Sequence, residues 1–366
     1  MKTETALRAK LAGAFLALIS MTGLMAGPAM ADDTTEDQSG DSVTKTCNSG
    51  DCTSGDGVAR YQRDGDWLFD YRGRFVDGIP HGEGNITFAT GITFVGNLDK
   101  GDLTHGTLTY PDGDVYVGAL KKEKYSGQGT YTFGEGDYAG DVLTGTFVEG
   151  FPLQGTYRAS DGRVYQGWFE AWRFDGQGEL NFTNGNKYVG TFKQDQMSGK
   201  GVYTWGPGEF EGDTLTATFA DDAPVEGTYR WANGQTYTGE WDGWSRSGQG
   251  EMRYSNGNLY TGGWAEGVRS GTGTYKWPDG RVFTGQWVDG QRVSGTETDA
   301  DGMVYVGDFE DDNRQGQGTL TYPDGQVFTG TWVNDLPTVG TYQAPGTEPR
   351  PVRYENREFV FTDGAP

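Results

Sequence analysis

One phrase returns along this chain every 22 or 23 residues, and it leaves little room for any other plan. It reads Tyr or Phe, any residue, Gly, any residue, Trp or Phe, as in Tyr188-Val-Gly-Thr-Phe192 and Tyr260-Thr-Gly-Gly-Trp264. A polar loop follows, then Gly-x-Gly, an aliphatic or aromatic pair, and an Asp-Gly or Asn-Gly turn. The first aromatic falls at 71, 94, 116, 138, 165, 188, 210, 237, 260, 283, 305 and 328, which makes twelve units over residues 71–344. The second glycine of Gly-x-Gly recurs in all twelve, from Gly84 to Gly340, and the first in seven. Two longer steps begin at Tyr138 and Phe210 and carry similar phrases 72 residues apart, so a block of three units reads as a tandem duplication. A fixed period of this length is the mark of stacked supersecondary units, each unable to bury its own apolar face alone.

Each unit has the chemistry of a β-hairpin. Tyr, Gly and Trp alternate and therefore share one face of a strand, and the residues of the second strand do the same. Asp-Gly and Asn-Gly pairs, for example 112–113, 184–185, 256–257 and 324–325, are strong tight-turn signals. Glycine makes up 62 of 366 residues and aromatics 14%, while hydrophobic residues reach only 34%. A chain of that composition buries rings between many turns, which excludes a helical bundle and a large Rossmann-like enzyme. The expected fold is all-β: an elongated, single-layer antiparallel ribbon of about twelve stacked hairpins.

The phrase Tyr-x-Gly-x-Trp/Phe followed by Gly-x-Gly resembles the MORN repeat (membrane occupation and recognition nexus), over about residues 71–344. The resemblance implies a β-ribbon without helices. It also implies a scaffold for partner proteins or, in some members, a membrane-associated module. A fragment at 47–57, with Tyr61 and Asp64-Gly65, resembles a partial first repeat, so residues 47–70 are expected to form a cap.

The termini carry other signals. Lys2, Arg8 and Lys10 precede an uncharged, mostly apolar run and then Ala29-Met30-Ala31, the pattern of a secretory signal cleaved after Ala31. An uncleaved anchor is the competing reading, but the run is short for a span and contains Gly and Ser. Residues 1–31 are thus expected to be a signal peptide and 32–46 a disordered acidic linker. In an exported chain Cys47 and Cys52, the only cysteines, are expected to pair, with free thiols the alternative. Residues 345–366 form a Pro-containing tail with a plausible capping strand at 357–361. The net charge of −23 opposes binding to nucleic acid and to anionic lipid.

Candidates for chemistry are few. His81 and His105 stand beside repeat glycines without a third histidine or a nearby cysteine. Unit ten places Glu297 and Asp299 where other units have apolar residues, followed by Asp301, with Asp308 and Glu310 on a neighbouring strand, and these carboxylates are weak candidates for a divalent cation. Arg246, Arg269, Arg292 and Arg314 recur in one loop of four successive units, and as a ladder along one edge they could grip an anionic polymer. Asp242, Glu266, Asp289 and Asp311 share those loops and offer local ion pairs instead. Rings on an open sheet could stack on sugars, unless the rings are themselves the core.

The sequence therefore predicts a non-enzymatic, periplasmic or secreted repeat scaffold without a cofactor, binding an envelope protein. A glycan-binding module or a cation-dependent membrane-surface module is the alternative, and a homodimer is left open.

Overall fold

A computed structural model describes residues 34–36 and 42–364. The expected signal peptide lies outside the described residues. Every regular element among the described residues is a β-strand. The chain divides into two units, one made of residues up to Asn184 with Thr191–Asp195, the other of Gly185–Gly190 and the residues from Gln196 onward.

In the first unit each strand pairs antiparallel with the next in the chain, from Ser42–Gly50 against Asp56–Arg63 through to Val164–Glu170 against Arg173–Asn181. The second unit repeats this meander from Gln196–Thr204 to Arg350–Glu355 and Glu358–Phe361.

Glycine sets the register. Within a hairpin the strand glycines face one another, as in Gly73↔Gly84, Gly118↔Gly129 and Gly262↔Gly273. Between hairpins they do so again, as in Gly84↔Gly96, Gly250↔Gly262 and Gly295↔Gly307. The repeat tyrosine lies across this glycine row and is fully buried, as Tyr71, Tyr116 and Tyr165 show in the first unit and Tyr188, Tyr237, Tyr260 and Tyr305 in the second. Its hydroxyl donates to the carbonyl three residues on, from Tyr116 to Ala119 at 2.8 Å and from Tyr260 to Gly263 at 2.9 Å. In several hairpins the ring meets two others edge-on: Tyr260 packs against Trp264 at 5.3 Å and against Trp287 of the next hairpin at 5.2 Å. Burying a large apolar side chain is worth about 1.5–3 kcal/mol, so this repeated stack is what a chain poor in aliphatics uses as its core.

A bulge follows the glycine in each hairpin. Gly330 faces Gly340, yet Trp332 faces Pro337, so the second strand carries one extra residue. Gly262 faces Gly273 while Trp264 faces Arg269, so here it carries two. The longer bulge contains the first glycine of Gly-x-Gly, and all seven such glycines have φ between +59° and +80°. That conformation suits glycine, and a bulge bends the strand. The polar loops are two-residue turns with both residues at positive φ, such as Ala171 and Trp172 at +47° and +68°.

The structure corrects the sequence reading in two places. Units four and seven do not begin at Tyr138 and Phe210, which lie in turns; Leu143 and Leu215 occupy the buried position. Gly145, two residues past Leu143, pairs with both Gly129 and Gly155, and this register outweighs the missing ring. The second correction concerns residues 32–46. Ser42–Gly50 is a strand paired with Asp56–Arg63, and Thr34–Glu36 pairs with Ser42–Thr44. The alternation Val43-Thr-Lys-Thr46 buries Val43 and suits a strand.

At the C-terminal end, Glu358–Phe361 forms the anticipated strand, paired with Arg350–Glu355. Phe359 stacks on Phe328 at 5.0 Å and covers the last repeat ring.

Candidate functional site

The repeat has a second inward column, the first apolar side chain after the hairpin turn. Pro80, Leu103, Tyr125, Pro152, Phe174, Met197, Pro224 and Pro337 occupy it, and the rings among them stack on the repeat tyrosine, with Tyr116–Tyr125 at 4.0 Å and Tyr165–Phe174 at 3.8 Å. In four successive hairpins of the second unit the same column holds Arg246, Arg269, Arg292 and Arg314. These arginines begin the second strand and point into the rings; they do not form an outward ladder in a loop.

Each guanidinium takes the place of a ring. Arg246 lies 4.6 Å from the Trp264 ring centre, Arg269 4.2 Å from Trp287, Arg292 4.7 Å from Phe309 and Arg314 5.1 Å from Tyr305. A planar cation over an aromatic face gains electrostatic attraction as well as contact. Arg246 and Arg269 also donate to the carbonyls of Gly267 and Gly290, at 2.5 and 2.6 Å.

The four part company in how their charge is met. Arg292 pairs with Glu297 and with Asp312, the latter at 3.0 Å, and donates to the Asp312 carbonyl. Arg314 reaches Glu297 at 2.7 Å and Asp299 at 3.0 Å. Burial pulls Arg314 down, but these two carboxylates outweigh it and hold the guanidinium above its ordinary value. Arg246 and Arg269 have no carboxylate partner among the described residues. Burial lowers the Arg246 pKa, although a guanidinium stays charged at any physiological pH. Asp242, Glu266, Asp289 and Asp311 form no ion pair with any of the four arginines.

The acidic residues of unit ten therefore do not gather as a cation site. Glu297 is buried and spends one oxygen on Arg292 and the other on Arg314. Asp301 is exposed in the turn, and Asp308 faces out opposite Ser294. Among the described residues no group of three or more His, Cys, Asp or Glu side chains is placed to hold a metal ion. His81 stands 3.5 Å from Asp99 on a side chain 44% exposed, and His105 is exposed. Cys47 and Cys52 are joined by a disulfide. The repeat tyrosines, being buried, present no surface to a sugar. No helix of the described residues is long and apolar enough to cross a membrane.

Sequence reasoning found the four arginines but misjudged their direction. The usable signal was the column itself, because an arginine where eight other units place Pro, Leu, Met, Phe or Tyr must cover the same rings.

A second polar device ties neighbouring hairpins together. Asp114 accepts the Tyr131 hydroxyl at 2.5 Å and the Gly134 amide at 2.6 Å, and Asp141 and Asp213 hold Tyr157 and Tyr229 in the same way. Asn186 reproduces the arrangement with Tyr203 and the Gly206 amide.

Hairpins stacked on a glycine row and closed by aromatic rings define a β-repeat protein. Nine segments match the model of the MORN repeat: residues 71–93, 105–115, 116–138, 188–210, 225–236, 237–259, 260–280, 283–304 and 305–327. The chain belongs to the MORN-repeat proteins. No curated protein matches it significantly. Among solved structures it is similar to the G-box domain of the microcephaly protein CPAP, at 15% identity and a TM-score of 0.31, over 56% of this chain and 97% of that one. The TCP domain of Drosophila melanogaster SAS-4 (dCPAP), solved with a proline-rich motif of Ana2 (dSTIL), gives 11% and 0.28 over 50% and 92%. The TCP10 domain of Danio rerio CPAP gives 11% and 0.23 over 68% and 99%. Similarity at these values carries no functional inference.

Proposed function

We propose that this MORN-repeat chain is a non-enzymatic scaffold, exported to the cell envelope, that binds another envelope protein across several consecutive hairpins. The observation that supports this reading is a surface that repeats with the hairpins. Exposed apolar residues recur at fixed register positions: Val95 and Val117 follow the repeat aromatic in the first unit, and Val189 and Val306 do so in the second. Beside the hairpin turns stand Val148 and Phe151, and in the other unit Val288, Val333 and Leu336. Single exposed apolar residues are ordinary, but aligned ones make a contact surface that grows with each unit. A stable interface covers about 800 Å² per partner, more than one hairpin offers. The export part of the proposal rests on the basic, apolar and small-residue pattern that ends at Ala31.

In-register deletion of whole units, for example residues 260–282, is expected to weaken capture of the partner from native envelope stepwise, while substitutions of His81 or His105 leave it unchanged. A single point variant that abolishes function, with deletions elsewhere tolerated, would require a localised site instead. Mass measurement of the mature protein is expected to find a chain starting at Asp32; intact Met1 in a membrane fraction would refute export by cleavage.

A further inference from the structure

Glu297 shows what a guanidinium in the inward column binds when a carboxylate is within reach. Its two oxygens bridge the arginines of successive hairpins, Arg292 and Arg314. The same strand position holds Met252 in the hairpin of Arg246 and Tyr275 in that of Arg269, and each faces the following repeat aromatic as Glu297 does. Those two hairpins therefore lack the internal acid. Their guanidiniums are partly buried, and each spends one nitrogen on a glycine carbonyl. Neither residue is sealed: both Arg246 and Arg269 keep part of their surface exposed. Trp231, Tyr254 and Trp277 are half-buried just past the ends of strands, and the Arg246 guanidinium lies 5.8 Å from the Trp231 ring centre.

We propose that Arg246 and Arg269 form a docking site for an acidic peptide segment, whose carboxylates supply in trans what Glu297 supplies to Arg292 and Arg314. Desolvated arginine favours planar carboxylates, which it engages through paired N–H donors. The two arginines begin second strands of adjacent hairpins, two strand spacings or about 10 Å apart. Two acidic residues three apart on an extended peptide span a similar length, at about 3.3 Å per residue. The rings beside the guanidiniums suit an apolar residue between the acids. An overall charge of −23 repels acidic chains elsewhere, so the local pair confers position as well as attraction. This inference rests on the scaffold reading and gives the partner a chemistry.

The test uses a fluorescein-labelled peptide, Gly-Glu-Gly-Phe-Glu-Gly, titrated with the whole chain at low ionic strength and read by polarisation. Met is the natural occupant of the column at Met197, so Arg246→Met with Arg269→Met removes charge and keeps the packing. This double variant is expected to weaken binding tenfold or more. Arg253→Met with Lys276→Met removes the same charge from exposed positions on the same strands and is expected to change it less than twofold. Met252→Glu, which copies Glu297 two hairpins earlier, is expected to abolish binding by pairing Arg246 and Arg269 internally. It also serves if the methionine double variant does not fold. Equal loss in the two double variants would overturn the proposal, as would full affinity in Met252→Glu. Saturable binding of dextran sulfate without binding of the peptide would overturn it in favour of an anionic polysaccharide. If the peptide site fails while unit deletions still weaken partner capture, the scaffold stands without it.

Discussion

Tyr260 lies so close over Gly273 that a β-carbon added there would come within 2.6 Å of its ring carbons. The glycine is on the strand opposite and has ordinary extended geometry, so space and not backbone freedom is what demands it. Tyr305 over Gly318 and Tyr165 over Gly178 repeat the relationship. The exception is instructive: Ala217 takes the place of a glycine in the hairpin where Leu215 replaces the tyrosine. Gly273→Ala is expected to destabilise the second unit by about 1–3 kcal/mol through overpacking. Ala217→Gly should cost only the strand penalty of glycine, about 0.5–1 kcal/mol. Urea unfolding followed by tryptophan fluorescence compares the two; equal midpoints would mean that the ring does not enforce the glycine.

This relationship explains which parts of the fold could be read from the sequence. The period, the hairpins and the turn signals follow from local chemistry, because Asp-Gly and alternating rings state their own geometry. The true start of units four and seven was hidden, because Tyr138 and Phe210 offered a ring while the register lay in Gly145 and Ala217 two residues past a leucine. The first glycine of Gly-x-Gly looked like an imperfect repeat feature. It is a marker of hairpins with a longer bulge, which appears only when both strands are counted together. The direction of Arg246 and its three successors was likewise invisible to composition, since a charged residue usually faces water. Only its alignment with Tyr125, Phe174 and Met197 puts it among the rings.

The tyrosines also fix the behaviour of the fold in alkali. Burial, first among the causes, pushes Tyr116, Tyr188, Tyr237, Tyr260 and Tyr305 up to about 12 from an ordinary value of 10.0. Above pH 10 the unfolded chain loses these protons while the folded chain keeps them, so the folded state binds more protons and stability falls as pH rises. The stabilisation is fully present below pH 10 and is lost through the window from 10 to 12. Tyrosinate absorbance is expected to rise together with loss of the far-ultraviolet β signal, in one cooperative step. Independent titration of these residues near 10 with the sheet intact would contradict their burial.

The disulfide acts at one end. Cys52 is buried, and the turn that follows it docks on the first hairpin, where the Phe75 amide donates to Gly55 and the Gly78 amide to Thr53, at 2.7 and 2.8 Å. Lys45 adds a bond to the Gly78 carbonyl at 2.9 Å. Replacing both cysteines by serine is expected to cost about 2 kcal/mol, modest because the loop is short. In a stacked array the loss should stay near Asp56–Val76. Hydrogen exchange with mass spectrometry is expected to show faster exchange over residues 42–88 and unchanged protection over residues 237–343. Uniform loss of protection would show that the cap governs the whole chain.

The duplicated block supplies a paired experiment within one molecule. Trp172 and Trp244 are 72 residues apart, and each reaches from a hairpin turn to rings of earlier hairpins. Trp172 meets Tyr131, Phe133 and Phe147, with centroids at 5.0, 6.2 and 5.9 Å. Trp244 meets the counterparts Tyr203, Trp205 and Phe219, at 5.1, 6.1 and 6.2 Å. In both places the reaching ring packs against the hairpin whose repeat tyrosine has been replaced by leucine, Leu143 or Leu215. The two differ in how far they are enclosed: Trp172 is 8% exposed and Trp244 46%. Removing a sealed ring leaves a cavity, whereas removing a half-exposed one lets water in at little cost. Trp172→Ala is therefore expected to cost about 3–5 kcal/mol, and Trp244→Ala about half as much or less. Thermal unfolding of the two variants side by side checks this, with wild type as reference. Equal losses would mean that contact with the leucine-bearing hairpin, and not enclosure, sets the contribution of the turn tryptophan.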